Sequence, residues 1–203
     1  VNLAYTGRYA ALAAFFRDWL GYGGANSDVT ASLSGSDIPF PELTFSVAQS
    51  VGAVRMPVTA TEEPQDMGVV VRLEGLEVSD LLWSLFDPGA ILPRDPATLI
   101  IDLAGQANWL VDIFDPEVAE TIEEMPGQIH SLTINEIRLS LAGAELTGDG
   151  GFTFDNDDLG TFDGLPRPEG IVNLMLTGGN GLLDNLVTMG LLPQDQAMGA
   201  RMM

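Results

Sequence analysis

The sequence predicts an α+β fold: a curved, largely antiparallel β-sheet with bulged strands and several short helices packed on one face. Three observations support it. Apolar and polar residues alternate with a two-residue period over most of the chain, which is typical of half-buried strands. The alternation changes phase within single strand regions, which indicates bulges or turns. The stretches with helical spacing are short, so a parallel sheet joined by long helices is not expected.

Length and composition predict one folded domain over residues 1–203. Hydrophobic residues make up 46% of the chain and charged residues only 18%, so the chain can bury apolar surface despite its acidity. We expect it to be a fragment of a longer protein, because it starts at Val1 and its last helical pattern is still continuing at Met203.

The charge balance excludes several classes of function. The chain has 8 Lys+Arg, all of them arginine, against 29 Asp+Glu, and its net charge of -21 repels nucleic acid and anionic membrane surfaces. The absence of lysine and cysteine excludes P-loops, Schiff bases, disulfides and thiolate zinc sites. No apolar run approaches the roughly 18 residues of a membrane span, so none is predicted in this chain.

The first predicted element is an amphipathic helix. Thr6 is a plausible N-cap, apolar residues then recur at helical spacing, and Gly21 ends the run. We interpret one face of this helix as a candidate docking surface for a protein partner. That face consists of Tyr9, Leu12, Phe16 and Trp19.

Strands follow at 29–34, 43–48 and 67–73, where alternation is regular. Ser79 is predicted to cap a short helix that ends at Asp87-Pro88-Gly89. This order of strand and helix recurs loosely, near 69–89, 98–117 and 171–193. The second copy places a strand at 98–105 and a helix at 108–114, and the third has its helix after Gly178-Gly179-Asn180.

A short acidic helix is predicted at 116–125, with Val118, Ile122 and Met125 facing inward. The longest strand region of the chain comes next. Its apolar residues change phase at Asn135-Glu136 and again at Gly143, which predicts a bulge or turn at each place.

Aromatic residues recur at equivalent places in the first two strand and helix units, and a further pair lies in the long strand region. They either line an apolar groove or pack in the core. The candidate groove residues are Trp83, Phe86, Trp109, Phe114, Phe152 and Phe154.

An acidic turn offers oxygen ligands of the type that calcium prefers. Its carboxylates belong to Asp155, Asp157, Asp158 and Asp163, but Leu159 stands at the fifth position, where a calcium loop needs a ligand. A solvated turn rich in Asx residues is the alternative, and we predict no metal site.

The remaining polar motifs do not predict catalysis. His130 is the only histidine and is read as an ordinary strand residue. Gly179-Asn180-Gly181 lies between a strand and a helix, but Asp184 replaces the third glycine of a nucleotide loop, so Asn180 is read as an N-cap. We expect a protein that is not an enzyme and needs no cofactor.

Several motifs are similar to the C-terminal half of the alphaproteobacterial family called domain of unknown function 2125. They are Leu82-Trp83-Ser84-Leu85-Phe86-Asp87-Pro88, Phe152-Thr153-Phe154-Asp155, the run 163–170, Met189-Gly190-Leu191-Leu192-Pro193 and Gly199-Ala200-Arg201-Met202-Met203. The segment 150–169 also resembles, more faintly, the repeated strands of AsmA-like envelope proteins with a lipid-accommodating groove. The family resemblance implies an exported, periplasmic protein and supplies no catalytic residues.

Two functions follow as hypotheses. In the first, a non-enzymatic envelope protein binds a lipid or other amphiphile in an apolar groove of the curved sheet. In the second, the chain is a structural or accessory subunit docked on the periplasmic side of a larger membrane-associated assembly, with an apolar patch buried against a protein partner.

Overall fold

The computed structural model describes residues 2–15, 19–34, 43–112, 115–120 and 126–202, with only the backbone path given for residues 2–15, 19 and 119. Eight strands and four helices lie within these ranges. In chain order they are β1 (Asn2–Phe15), β2 (Trp19–Ser34), β3 (Leu43–Pro57), β4 (Gln65–Val78), α1 (Asp80–Phe86), β5 (Ala97–Trp109), α2 (Pro116–Ala119), β6 (Gly127–Leu141), β7 (Ala144–Asp155), β8 (Arg167–Thr177), α3 (Gly179–Thr188) and α4 (Gln194–Arg201).

The strands form one sheet in which spatial order equals chain order, from β1 to β8. Every neighbouring pair is antiparallel, so each strand pairs with the strand before it and the strand after it. Such a sheet is built from contacts between consecutive elements and leaves β1 and β8 at its edges. The predicted α+β fold with a largely antiparallel sheet is confirmed.

Both predicted phase changes are present. The register of β6 shifts between Ile134 and Ile137, which is the bulge predicted at Asn135-Glu136. Ala142 and Gly143 alone connect β6 to β7, and their φ angles of 52° and 80° are those of the tight hairpin turn that matches strand twist.

A further irregularity crosses the first half of the sheet and is not evident from the sequence. Asp28 and Gly75 have φ angles of 52° and 66°, and the register of β4 against β5 shifts between Leu73 and Leu76. A Cβ atom on Gly75 would lie 2.8 Å from the Cβ of Ala48, so this position requires glycine for both its backbone angle and its space.

The amphipathic helix predicted for residues 6–20 is wrong, because these residues fall in the hairpin of β1 and β2 wherever they are described. The glycines that seemed to end the helix lie inside β2, where Leu12 pairs with Gly23 and Ala14 with Gly21. Apolar, alanine-rich runs satisfy helical and strand periodicity alike, and here pairing with β2 decides the outcome.

The second predicted unit also differs from the structure. Asn108 and Trp109 complete β5 and residues 110–112 form a bend, so the predicted helix at 108–114 is wrong for its described part. The acidic helix is present as α2, whereas Ile122 and Met125 lie outside the described residues. The first and third units do have the predicted order, as β4 then α1 and β8 then α3.

Few apolar side chains of the described residues are buried. They are Val29, Ala31, Val47, Trp83, Ile100, Ala142, Ala144 and Ala197. A large part of the sheet's apolar surface therefore faces solvent. No helix in the described ranges is long and apolar enough to cross a membrane.

Candidate functional site

One face of the central sheet is aliphatic, and we call it the aliphatic face. Side chains alternate between the two faces of a strand, and the register places residues that pair across strands on the same face. The aliphatic face contains Val69, Val71 and Leu73 of β4, Leu99, Ile101 and Leu103 of β5, Ile134, Ile137 and Leu139 of β6, Leu146 of β7, and Leu174 and Leu176 of β8.

The aliphatic face is not packed as a core. Val71 is 39% exposed, Leu139 is 45% exposed, and Leu174 and Leu176 are each 63% exposed. An antiparallel sheet normally packs its apolar face against another layer and leaves its polar face in water. A contiguous apolar surface of this kind is the usual mark of a binding site for an apolar partner.

The opposite face is polar and internally paired. The Arg72 guanidinium donates to Asp102 at 3.2 Å, on the neighbouring strand β5, and to Glu136 at 3.1 Å, on β6 beyond it. The hydrogen bond with Asp102 raises the pKa of Arg72 above its ordinary value. Ile100 lies on this face between Arg72 and Arg138 in the register and is only 3% exposed. In the middle of the sheet, the apolar side chain of Ile100 on the polar side is thus covered.

At the end of the sheet next to α1, the apolar surface deepens into a cavity of about 480 Å³, which we call the α1 pocket. Its walls include Leu76 of β4, Leu82, Trp83 and Phe86 of α1, and Leu141 of β6. The volume is within the range of small-molecule sites. Because Leu141 follows Leu139 at two residues along β6, the pocket continues the aliphatic face.

Local contacts hold α1 over this end of the sheet. Ser79 is its N-cap residue, as predicted, but the Ser79 side chain accepts a hydrogen bond from the Thr44 N–H at 3.4 Å instead of capping the helix. The Ser79 N–H also donates to the Thr44 carbonyl at 2.9 Å. The helix is thereby tied to β3.

Asp87 ends α1 at the predicted place and has a second role that the sequence does not reveal. It is 0% exposed, and its two carboxylate oxygens accept hydrogen bonds from the N–H groups of Ile91 and Leu92, each at 2.9 Å. A buried carboxylate with two backbone donors fixes the loop that follows. This loop forms one wall of the α1 pocket through Leu92.

Charged groups stand at the mouth of the α1 pocket. Arg94 lies with its guanidinium carbon 5.6 Å from the centroid of the Trp83 ring and donates to Asp80 at 2.6 Å. Asp95 also lines the pocket. Sequence reasoning missed Arg94, although it is the only cation between Arg72 and Arg138.

The structure divides the predicted groove residues between two places. Trp83 and Phe86 lie together in the α1 pocket, with ring centroids 4.9 Å apart. Trp109 lies at the other end of β5, about 40 Å away at the usual rise per residue, and its indole N–H donates to the Pro57 carbonyl at 2.9 Å. Phe114 lies outside the described residues.

Phe152 and Phe154 are a separate aromatic pair on β7, with ring centroids 6.3 Å apart. In the register Phe152 pairs with Leu132, which itself pairs with Gly105 towards the Trp109 end of β5. The pair thus lies on the same side of the sheet as the aliphatic face, but at the end away from the α1 pocket.

The candidate docking face has no helix to present it. Tyr9 and Leu12 lie in β1, opposite Asn26 and Gly23, and Trp19 begins β2. Phe16 lies outside the described residues. The prediction of a docking helix is wrong because its residues pair as strands.

The acidic turn is organised around an arginine. Arg167 lies 3.2 Å from Asp155 and 3.6 Å from Asp158, and Asp155 also accepts the Asp157 N–H at 3.1 Å. Asp163 takes a φ of 50° in the turn that follows. Among the described residues, no three acidic or histidine side chains are grouped as a metal site would require.

His130 belongs to a chain of hydrogen-bonded polar groups around the buried Asn108 at the Trp109 end of the sheet. Its Nε2 lies 2.7 Å from Oδ1 of Asn108, which is 2% exposed and donates from its amide nitrogen to the Thr61 carbonyl at 2.6 Å. These bonds fasten the segment after β3 to β5, which is a structural role. The predicted N-cap at Asn180 is wrong, because α3 begins after Gly178, whose φ is 69°.

A family model described as "Uncharacterized protein conserved in bacteria (DUF2125)" matches residues 22–203. This range contains the whole α1 pocket and every residue assigned to the aliphatic face. No curated protein and no solved structure matches the chain.

Proposed function

The chain belongs to the bacterial family DUF2125, and we propose that it is a non-enzymatic envelope protein that binds the apolar chain of an amphiphile on its aliphatic face. The observation that supports this function is the exposure of that face, which reaches 63% at Leu174 and Leu176. The envelope location rests on the family resemblance to exported proteins.

The two faces of the sheet differ in the way such a binder needs. The polar face has its own ion pairs, such as Arg72 with Asp102 and Glu136, and tolerates water. Any apolar molecule that covers the aliphatic face removes its side chains from water, and this lowers the free energy. If a ligand removes about 500 Å² of apolar surface from water, counted on both partners, burial contributes about 12 kcal/mol. An association cost of at least about 4 kcal/mol leaves a dissociation constant that is micromolar or weaker.

The test is a titration with N-phenyl-1-naphthylamine, an uncharged fluorophore that brightens in apolar surroundings. Val71→Asp places a carboxylate on the aliphatic face, so we expect at least about a fivefold loss of affinity, because the ligand must dehydrate that charge. Thr133→Asp is the matched control, since Thr133 is exposed on the polar face between Ala104 and Gly151. Equal affinity in the two variants, with both folded by circular dichroism, would refute the assignment.

A protein partner is the second candidate, and the edge strand β8 favours it. Ile171 is 73% and Met175 is 61% exposed, and both point to the polar side of the sheet, where no acyl chain is proposed. Native mass spectrometry of the protein from a periplasmic extract of its host, with organic extraction, separates the candidates. A co-purified lipid supports the binder, whereas a tightly held polypeptide and no lipid supports the accessory subunit.

A further inference from the structure

The outer edge of β8 lacks the features by which proteins normally keep an edge strand from pairing. Charged side chains, proline and short length are the usual ones. β8 has Arg167, Pro168 and Glu169 at its start, but the rest of the strand, residues 170–177, contains no charge and no proline. Among the described residues, no strand or loop pairs with its outer side. The outward N–H and C=O groups of this run are therefore open to a further strand.

The same run is apolar on both faces of the sheet. Leu174 and Leu176, on the aliphatic face, are each 63% exposed. Ile171 and Met175, on the opposite face, are 73% and 61% exposed. Side chains that pair across two strands lie about 5 Å apart. A strand added at this edge would therefore shield apolar side chains on both faces from water.

A second copy of the chain fits this edge, because the run is complementary to itself. Antiparallel pairing about a two-fold axis at Asn173 places Ile171 opposite Met175 of the second copy. On the aliphatic face, the same register places Leu174 opposite Val172. Each of these apolar contacts occurs twice, because the two-fold axis repeats it.

The charges around the edge allow contact between two copies that each carry a net charge of -21. Asp149 of β7, which accepts a hydrogen bond from Asn173 at 3.1 Å, is the acidic residue behind the centre of the run. Its Cα atoms in the two copies would lie three strand spacings apart, about 14 Å, which exceeds the Debye length of about 8 Å at physiological ionic strength. Glu169, at the rim, is already paired with Arg167 at 3.0 Å. A basic partner strand would gain from acidic side chains in the run, which has none, whereas an equally acidic copy requires an uncharged contact.

We propose that two copies of the chain associate through their β8 edges, antiparallel and with Asn173 at the two-fold axis, to form one continuous sheet. The axis is normal to the sheet, so the aliphatic faces of both copies lie on the same side. Leu174 and Leu176 then lie in the middle of the joint face instead of at its margin. The association does not depend on the proposed function, because the open edge and its apolar side chains are present without a ligand.

The test is sedimentation velocity of the whole protein, without added ligand, at concentrations from about 1 μM to about 300 μM. A paired run of eight residues is small beside a standard interface of about 1,600 Å². We therefore expect a reversible dimer that forms in the upper part of this range. Association should strengthen about threefold or more in 0.5 M NaCl, because salt screens the repulsion between two acidic copies. Weaker association in salt would contradict an uncharged contact.

Substitutions at the cross-strand pair of Ile171 and Met175 test the register. Ile171→Glu should raise the dissociation constant at least about tenfold, because the new carboxylate meets the apolar Met175 side chain twice across the axis. Met175→Arg should weaken association in the same way. The variant with both changes should recover most of the parent affinity, because each carboxylate then faces a guanidinium of the other copy.

Tyr22→Glu is the matched control. Tyr22 is 52% exposed and lies in β2, six strand positions from β8. Like Ile171→Glu, it adds one carboxylate and changes the net charge from -21 to -22. We expect its dissociation constant to stay within about twofold of the parent value. Circular dichroism confirms that each variant is folded before it is compared.

The outcomes decide the proposal without reference to ligand binding. A monomer at every concentration would overturn it, as would equal weakening by Ile171→Glu and Tyr22→Glu, or no recovery in the variant with both changes. Growth beyond a dimer would also overturn it, because a two-fold pair of edges closes on itself. The fluorophore titration measures amphiphile binding separately, so failure of either idea leaves the other standing.

Discussion

The buried carboxylate of Asp87 offers the sharpest test of how the α1 pocket is built. Asp87→Ala removes the acceptor of two hydrogen bonds and leaves the N–H groups of Ile91 and Leu92 without that partner in a buried place. An unsatisfied buried donor costs about 1–3 kcal/mol. Because the loop can shift to reach water, we expect a total loss of about 3 kcal/mol in the free energy of unfolding.

The assay is equilibrium unfolding in urea, followed by circular dichroism, with Asp95→Ala as the control. Asp95 lies in the same loop but is exposed, and its substitution should change the free energy by less than about 0.5 kcal/mol. A loss of 3 kcal/mol corresponds to a fall of about 6–12 °C in melting temperature for a chain of this size. If Asp87→Ala unfolds at the same urea concentration as the parent protein with the same slope, the reasoning about this loop is refuted.

Two further substitutions test the sheet itself. Asn108→Ala should lower the free energy of unfolding by about 2 kcal/mol, because it leaves the Thr61 carbonyl and His130 without their buried partner. Urea unfolding measures this loss. A change below about 0.5 kcal/mol would contradict the prediction. Gly75→Ala should cost about 1–2 kcal/mol, because φ is 66° and the new Cβ would lie 2.8 Å from that of Ala48. Thermal unfolding checks the second change, and an unchanged or higher melting temperature would contradict it.

The strands of the second half of the sheet were predictable because one face of each is aliphatic. Alternation alone identifies a strand when apolar and polar residues keep to opposite faces, as in β5 with Leu99, Ile101 and Leu103. The bulge at Asn135-Glu136 was predictable for the same reason, since an extra residue must restore Ile137 to the face of Ile134. The exposure of that face was not predictable, because the same alternation describes a buried face.

The first hairpin was not predictable from its own residues. A run such as residues 9–16 has four alanines and one leucine, which favour helices, and its apolar spacing matches both periods. What decides its structure is pairing with residues 20–34, which satisfies backbone hydrogen bonds across the hairpin. Local periodicity does not report that pairing.

The candidate site was predictable only in part. Trp83 and Phe86 lie three residues apart on one short helix, so their contact follows from helical spacing. Their separation from Trp109 follows from the length of β5. That length was not predictable, because the sequence predicts a helix from residue 108, whereas β5 continues to Trp109. Arg94 contacts Trp83 and Asp80, which precede it by more than ten residues. These contacts depend on how the intervening loop closes, and local sequence patterns do not report that.

The open aliphatic face links stability to function. Backbone pairing between consecutive strands specifies the order of this sheet, but net stabilisation by each such hydrogen bond is small, so a sheet normally depends on burial of one face. Here the described part of the chain leaves Leu139 at 45% exposed in the middle of that face. Any molecule that covers these side chains removes them from water and stabilises the folded state. A bound ligand would therefore contribute to the free energy of folding in the same way as another layer of core.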